Sequence, residues 1–394
     1  MSRTTKKPQR IFLDYASATP VDPRVEKAMR PYFSRKFANP SAIYGEGVES
    51  KKILEDSRKI VADILRALPD EIVFTGSGTE SANLAIIGIF LKARQLGIKR
   101  PHIVTTAFEH PAVLEATKYC ESLGAKVTIV YPNGDGIISA DEIGKALSKN
   151  TVLVSAMYAN NEIGTIQPIR EIAKRIRQFE KRNKSTKKQI HLHVDASQAV
   201  NYLPLNVLEL HCDFLTLDGA KIYGPKGVGI LFVKRGVLIT PLILGGGQEK
   251  GRRSGTENIP AIVGIAQALS ITEKMRERES KRIARLQREI FQGIKKIAKN
   301  SRVNGSLDLR LPNNVNVCFP KVDSEFLVLK LDANGVAVSS SSSCKTISEN
   351  SRSYVLEAIG GKDCAESSLR ITLGRWTTEM EVKKFLKILK KCIS

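Results

Sequence analysis

From residue 72 the chain alternates short β-branched runs with helical patterns, and few folds tolerate that order. IVF precedes SANLAIIGIFLKARQLG, HIVTTAF precedes PAVLEATKYCESLG, KVTIVY precedes SADEIGKAL and TVLVSAMYA precedes PIREIAKRIRQFEKRN; IHLHVDA, FLTLD and GVGILFV complete the series. Parallel neighbours need a crossover, and helical crossovers are right-handed. The pattern therefore predicts an α/β fold with a mostly parallel sheet covered by helices on both faces. Ligands of such sheets bind beyond the C-terminal strand ends. The polar clusters fall there: GSGTES after IVF, EHP after HIVTTAF, NNEIG after TVLVSAMYA, DASQ after HLHV and DGAK after FLTL.

A length of 394 residues suggests two domains, and 42% hydrophobic with 26% charged residues suits a globular protein rather than a disordered one. A charged amphipathic stretch from about Pro260 to Asn300 leads to a second region, where NVNVCF, FLVLKLD and SLRITLG read as strands of a smaller α/β domain. The net charge of +22 favours acidic partners, but the basic residues are scattered through MSRTTKKPQR, KRNKSTKK and KMRERESKRIARLQREI without interleaved aromatics. They read as a solvated basic surface, and direct nucleic-acid binding is not expected. The six cysteines form no CxxC pair, so neither a disulfide framework nor a zinc knuckle is indicated. No apolar run reaches the roughly 18 residues of a membrane span, and no signal-peptide core follows the N-terminus. The expected location is cytoplasmic or an organelle matrix, and not secreted.

Several residue types carry chemistry. GSGTES opens a helix after a strand, so its backbone N–H groups and the Thr79 hydroxyl suit a phosphate; taken alone, it is equally a tight Gly-rich turn. It lacks the GK[ST] of a nucleotide loop, and the third glycine and distal acid of a dinucleotide fingerprint, which disfavours an oxidoreductase. Asp195 closes a strand, as a helix cap or a ligand contact. His191, His193 and Asp195 share one strand face by period two; ordinary strand alternation explains them better than a metal site. Cys344 follows five serines in a small, polar run beside Lys345, where a thiol has nucleophilic character. LDGAKIYGPKG places Lys221 and Lys226 in a turn. A phosphate cup, an acid at a strand end and a lysine two dozen residues further on are the parts that hold pyridoxal phosphate: the aldehyde needs the amine, the pyridine nitrogen the carboxylate and the phosphate the helix end.

IFLDYASATPVDPRV, ANPSAIYGEG, FTGSGTESANLAI, FEHPAVLE, YANNEIGTIQPI, HVDASQAV, KIYGPKGVGIL, GGGQEKGRRSGTEN and SLRITLGRWTT occur in that order. In these motifs the chain resembles the cysteine desulfurases, the NifS/IscS-like branch of the class V aminotransferases with the pyridoxal-phosphate fold-type I. The resemblance implies a large domain over residues 15–260 with a mostly parallel seven-stranded sheet. A small domain would comprise 1–14 and 261–394, with a mobile cysteine loop around 339–352. It implies Lys221 as the Schiff-base lysine and proton shuttle, Asp195 as the pyridinium partner, Gln198 and Asn161 near the ring oxygen, and His110 against the ring. Gly78, Thr79 and, from the neighbouring subunit of a homodimer, Thr256 would hold the phosphate. Arg370 and Asn161 would hold the substrate, and Cys344 would attack the sulfur of bound L-cysteine to leave a persulfide and alanine. The sulfur would pass to an iron–sulfur scaffold or a tRNA-thiolating enzyme. Selenocysteine lyase activity uses the same residues, and a degenerate, non-catalytic binding protein is the third reading.

That third reading rests on a departure. Where the family usually reads SGHK, this chain reads Asp218-Gly219-Ala220-Lys221. A carboxylate ~5 Å from one phosphate charge, at an effective dielectric near 20, costs about 3 kcal/mol. Arg252-Arg253 stands where a single arginine is usual, so Arg252, reaching across the dimer, is the expected compensating cation. Tyr44 replaces a common histidine, and Ser341 and Ser343 stand where the cysteine loop usually carries Gly and Ala.

Overall fold

The computed structural model describes residues 10–183, 189–340 and 352–393. All seven expected strands form: β1 Ile72–Thr75, β2 His102–Thr106, β3 Lys126–Val130, β4 Thr151–Met157, β5 His191–Asp195, β6 Phe214–Asp218 and β7 Gly229–Val233. They make one sheet in the order β1-β7-β6-β5-β4-β2-β3. The pairs from β6 through β5, β4 and β2 to β3 are parallel, and β7 runs antiparallel to both β6 and β1. The segment joining β6 to β7 is too short for a helical crossover, so β7 returns beside β6 as an antiparallel neighbour.

Central strands are apolar on both faces because helices cover both. Ile103, Leu153, Phe214 and Leu231 pack into one core with Leu84, Phe90 and Val113, from α1 (Gly78–Gln95) and α2 (Pro111–Ser122). Their sequence neighbours Val104, Val154, Leu215 and Ile230 face the other core with Ile172 and Ile176 of α3 (Ile169–Arg182). At the sheet edge β3 is only half-buried.

The 39-residue helix α4 (Ile259–Ile297) spans two cores. Ile262, Ile265 and Leu269 belong to the large core, whereas Ile283, Leu286, Ile290 and Ile294 belong to a third one. That third core backs a four-stranded antiparallel sheet of β8 (Arg302–Val303), β9 (Asn314–Cys318), β10 (Ser339–Ser340) and β11 (Ser368–Thr372), in the order β10-β11-β9-β8. The N-terminal strand Ile11–Phe12 pairs in parallel with Val336–Ala337, which puts Ile11 and Leu13 in this core.

Two expectations are corrected. FLVLKLD is not a strand but part of the helix Ser324–Ala333, where Asp323 caps the Phe326 N–H. Leu327 and Leu331 are buried four residues apart while Phe326 and Leu329 face solvent, so the period is helical. The cysteines are not all unpaired: Cys318 of β9 and Cys364 form a disulfide with Cα atoms 5.4 Å apart, although 46 residues separate them. Such a pairing depends on tertiary proximity, which spacing does not reveal. Among the described residues no helix is long and apolar enough to cross a membrane.

Candidate active site

A cavity of about 230 Å³ opens at the C-terminal ends of the parallel strands. Asp218 lines it from the end of β6 and Lys221 from the turn that follows; Asp195 lines it from the end of β5, and Ser197 and Gln198 from the turn after it. Asn161 and Ala159 follow β4, His110 follows β2, and Gly78 and Thr79 follow β1; Arg370 on β11 and Ala16 and Ser17 of the N-terminal segment close it on the other side. The crossover topology thus brings together residues spread over nearly the whole sequence.

Lys221 Nζ donates to the carbonyl oxygens of Ala16, at 3.0 Å, and Ser17. Gln198 Nε2 donates to the same Ala16 carbonyl at 3.0 Å, so the N-terminal segment forms a floor under both. Lys226, by contrast, is exposed on the outside of the turn. Asp195 stands where β5 ends, and its Oδ1 accepts from the Ser197 N–H at 3.0 Å, which orients the carboxylate over the strand end. His110 caps α2: its Nδ1 accepts the Ala112 N–H at 3.1 Å, so in the neutral ring the proton sits on Nε2. Burial lowers its pKa, against the opposing pull of Asp195, and the ring is neutral near pH 7.

Arg370 is only 2% exposed, yet its head group is well held. Nη2 donates to Asp14 at 3.0 Å, Ser17 Oγ at 2.8 Å and Ser339 Oγ at 3.1 Å, while Nη1 reaches the Asn161 carbonyl at 3.3 Å. Arg370 Nε and Asn161 Oδ1 are buried without a protein partner. A buried polar atom left so costs roughly 1–3 kcal/mol, so this pair marks a place for a polar ligand. The donor set of Lys221, Asp195, His110, Gln198, Asn161 and Arg370 fits the aldehyde and ring of pyridoxal phosphate and the carboxylate of an amino acid.

The phosphate end is different. Asp218 Oδ2 accepts the Gly78 N–H at 2.9 Å and Oδ1 accepts the Ala220 N–H at 2.8 Å. Only glycine allows this approach, since a Cβ on residue 78 would lie 2.9 Å from Asp218 Cβ. Within its own chain Arg252 Nη1 donates to the Asp70 carbonyl at 2.9 Å; its expected compensating role concerns the cup of a second subunit. Arg253 is the cation nearer the cup, but it pairs with Glu80 at 2.8 Å, and Glu80 Oε2 accepts the Gly76 N–H at 2.7 Å. Thr256 is exposed and does not line the cavity of its own chain, and Cys344 lies outside the described residues.

Sequence reasoning passed over four residues. Asp14 and Ser17 hold Arg370, and two buried acids flank site residues. Glu109, beside His110, accepts from Thr106 Oγ1 and the Met157 N–H, and burial pushes its pKa up to about 8. Glu162, beside Asn161, accepts from Ser353 Oγ at 2.6 Å and is raised by burial to about 7. Tyr354 donates to the Glu109 carbonyl at 2.7 Å, so the segment that opens at Ser353 and Tyr354 is tied to both acidic residues. EHP and NNEIG held the signal, an acid adjacent to each polar site residue. The His191–His193–Asp195 face is explained by strand packing: His193 bonds the hydroxyls of Ser155 and Thr216 on neighbouring strands, and burial lowers its pKa to about 4.

A model of the aminotransferase class-V family matches residues 11–385. The cysteine desulfurase IscS of Dictyoglomus turgidum is 40% identical over 384 residues, 97% of this chain and 94% of that protein. The mitosomal cysteine desulfurase of Trachipleistophora hominis is 40% identical over 395 residues, 98% of this chain and 87% of that one. Among solved structures, a NifS-like protein matches with a TM-score of 0.89 at 35% identity, covering 97% of this chain and 99% of its own. SspA in complex with cysteine matches with a TM-score of 0.79 at 34% identity, covering 93% and 100%.

Proposed function

Because the chain belongs to the class-V aminotransferase family and is a cysteine desulfurase that works with pyridoxal 5′-phosphate, we propose that the cavity takes sulfur from L-cysteine and leaves L-alanine. The convergence of Lys221, Asp195, His110, Asn161 and Arg370 on one cavity carries this reading. The cofactor, when bound, supplies an electron-withdrawing ring next to the substrate Cα.

The chain supplies the rest. With the cofactor bound, Lys221 would hold its aldehyde and would move the proton at the substrate Cα. Asp195 would keep a proton on the pyridine nitrogen, Gln198 and Asn161 would offer amide N–H groups to the ring oxygen, and neutral His110 would lie against the ring. Arg370 holds the substrate carboxylate through N–H groups that Asp14, Ser17 and Ser339 leave over.

Cys344 is the sulfur acceptor. Its thiolate attacks the substrate sulfur, an S–S bond forms as the Cβ–S bond breaks, and the electrons released to carbon take up a proton on the way to alanine. Supporting its access, Ser339 of β10 pairs with Arg370, and Cys344 follows five residues later in the sequence. The persulfide passes to an acceptor protein, an iron–sulfur scaffold or a tRNA-thiolating enzyme. A homodimer would bring Thr256 of the second subunit to the cup. The exposed apolar side chains of Phe33, Phe37, Ile43 and Tyr44 support such an interface. A cytoplasmic site of action belongs to the same proposal.

The test is to load the protein with pyridoxal phosphate, add L-cysteine and measure alanine and sulfide, with Lys221→Ala and Cys344→Ala alongside. Lys221→Ala abolishes both products. Alanine release that ignores Cys344→Ala would sink the persulfide assignment.

A further inference from the structure

The cavity is complete at its ring end and already filled at the other. At the first turn of α1, the Gly78 N–H, the donor a 5′-phosphate would use, is taken by Asp218, which also takes the Ala220 N–H. The carboxylate therefore lies on a donor that the phosphate would use.

The charged and titratable groups around Asp218 are Lys221 on its own turn, His110 at the start of α2, Asp195 at the end of β5, and the Glu80–Arg253 pair between α1 and the Gly-rich loop. Lys221 donates to the Ala16 and Ser17 carbonyls and would be taken up by the cofactor's aldehyde, His110 is neutral, Asp195 and Glu80 are acids, and Arg253 is committed to Glu80. Within the chain none of these groups gives the cup a spare positive charge.

We infer that Asp218 is a specificity-determining residue of the cofactor cup: it admits a 5′-phosphate only together with a proton from solvent, and takes an uncharged 5′-hydroxyl without one. The inference rests on the reading of the cavity as a pyridoxal-phosphate site. A phosphate monoester is mostly dianionic above its second pKa of about 6. Beside the carboxylate it is held as a hydrogen-bonded, proton-sharing pair. A 5′-hydroxyl instead donates to Asp218 and meets no repulsion. One charge pair at about 5 Å and an effective dielectric near 20 corresponds to about two powers of ten in affinity.

The experiment is calorimetric titration of apoprotein with pyridoxal 5′-phosphate and with pyridoxal, for wild type, Asp218→Ser and Asp218→Asn, at pH 6.5, 7.5 and 8.5. The ratio of the two dissociation constants cancels the proton exchange at Lys221 that both aldehydes share. In wild type the ratio, phosphate form over pyridoxal, rises up to tenfold per pH unit. Binding of the phosphate form at pH 7.5 takes up about one proton more than in Asp218→Ser, read by repeating the titration in buffers of different ionisation enthalpy. Both variants lower the ratio about a hundredfold at pH 7.5 and flatten its slope. A ratio equal in wild type and both variants overturns the inference. So does a ratio that falls in Asp218→Ser but not in Asp218→Asn, since shape and not charge would then discriminate. If wild type and both variants, each with a native circular-dichroism spectrum, bind neither compound, the reading of the cavity itself fails and takes the inference with it.

Discussion

Glu249→Gln should be among the most damaging single substitutions outside the cavity. Arg58 and Glu249 are 4% and 2% exposed and meet in a two-bond fork, both distances 2.8 Å. Glu249 Oε2 also accepts the Phe74 N–H at 2.9 Å, and Arg58 donates to the Ile72 carbonyl and lies 5.0 Å over the Phe74 ring. The pair thus pins the Gly-rich loop that carries Arg253 and Thr256 to β1, the strand leading into the cup. Glutamine keeps an acceptor for Phe74 but turns an N–H₂ toward the guanidinium and leaves the buried charge with only its longer contact to the half-exposed Glu55, at 3.3 Å. Breaking a buried pair from one side costs about 3–5 kcal/mol, whereas replacing both partners by apolar groups is close to neutral. Equilibrium urea unfolding of wild type, Glu249→Gln, Arg58→Met and the double variant Arg58→Met/Glu249→Met measures this directly. Each single change should lose about 3 kcal/mol or more, and the double change less than either. A Glu249→Gln loss under about 1 kcal/mol, or a double variant as weak as the sum of the singles, refutes the reasoning.

Glu109 makes stability pH-dependent. Its folded pKa is raised from 4.5 to about 8 by burial, so the folded chain keeps a proton that the unfolded chain releases. The contribution is full below about pH 4.5 and is lost as pH rises through about 8, by up to ~1.4 kcal/mol per unit. Urea midpoints at pH 5 to 8 should fall less steeply in Glu109→Gln, and an unchanged slope removes Glu109 as its cause. Reducing Cys318–Cys364, which closes a 46-residue separation, should cost about 4 kcal/mol in the chain-entropy model; labelling of both thiols in the unfolded, unreduced protein would show there is no bridge to reduce. Arg370→Lys keeps the charge but cannot serve Asp14, Ser17 and a substrate carboxylate together. The KM for L-cysteine should rise roughly 10- to 100-fold, as expected for one lost charge-assisted hydrogen bond, with a smaller change in kcat. A KM within twofold of wild type excludes the clamp role.

The seven strands of the large sheet were legible because each is a short β-branched run ending in a polar cluster, and the cavity lies at those clusters for the same reason. The sequence also carried the chemical types of Lys221, Asp195, His110, Asn161 and Arg370, through ordered motifs that resemble one family. FLVLKLD was misread because a short apolar run looks alike in a strand and a buried helix, and the deciding signal was the cap at Asp323.

What local pattern determines is which segments become strands and helices, since backbone hydrogen bonding and side-chain periodicity act over a few residues. Who meets whom across hundreds of residues is decided by packing. Cys318 finds Cys364, Asp14 holds Arg370, and Arg252 donates to the Asp70 carbonyl of its own chain. Asp218 shows the division most plainly. Its presence beside Lys221 is a fact of sequence, but that its carboxylate occupies the Gly78 N–H follows only once β1 and β6 end at the same rim of the sheet.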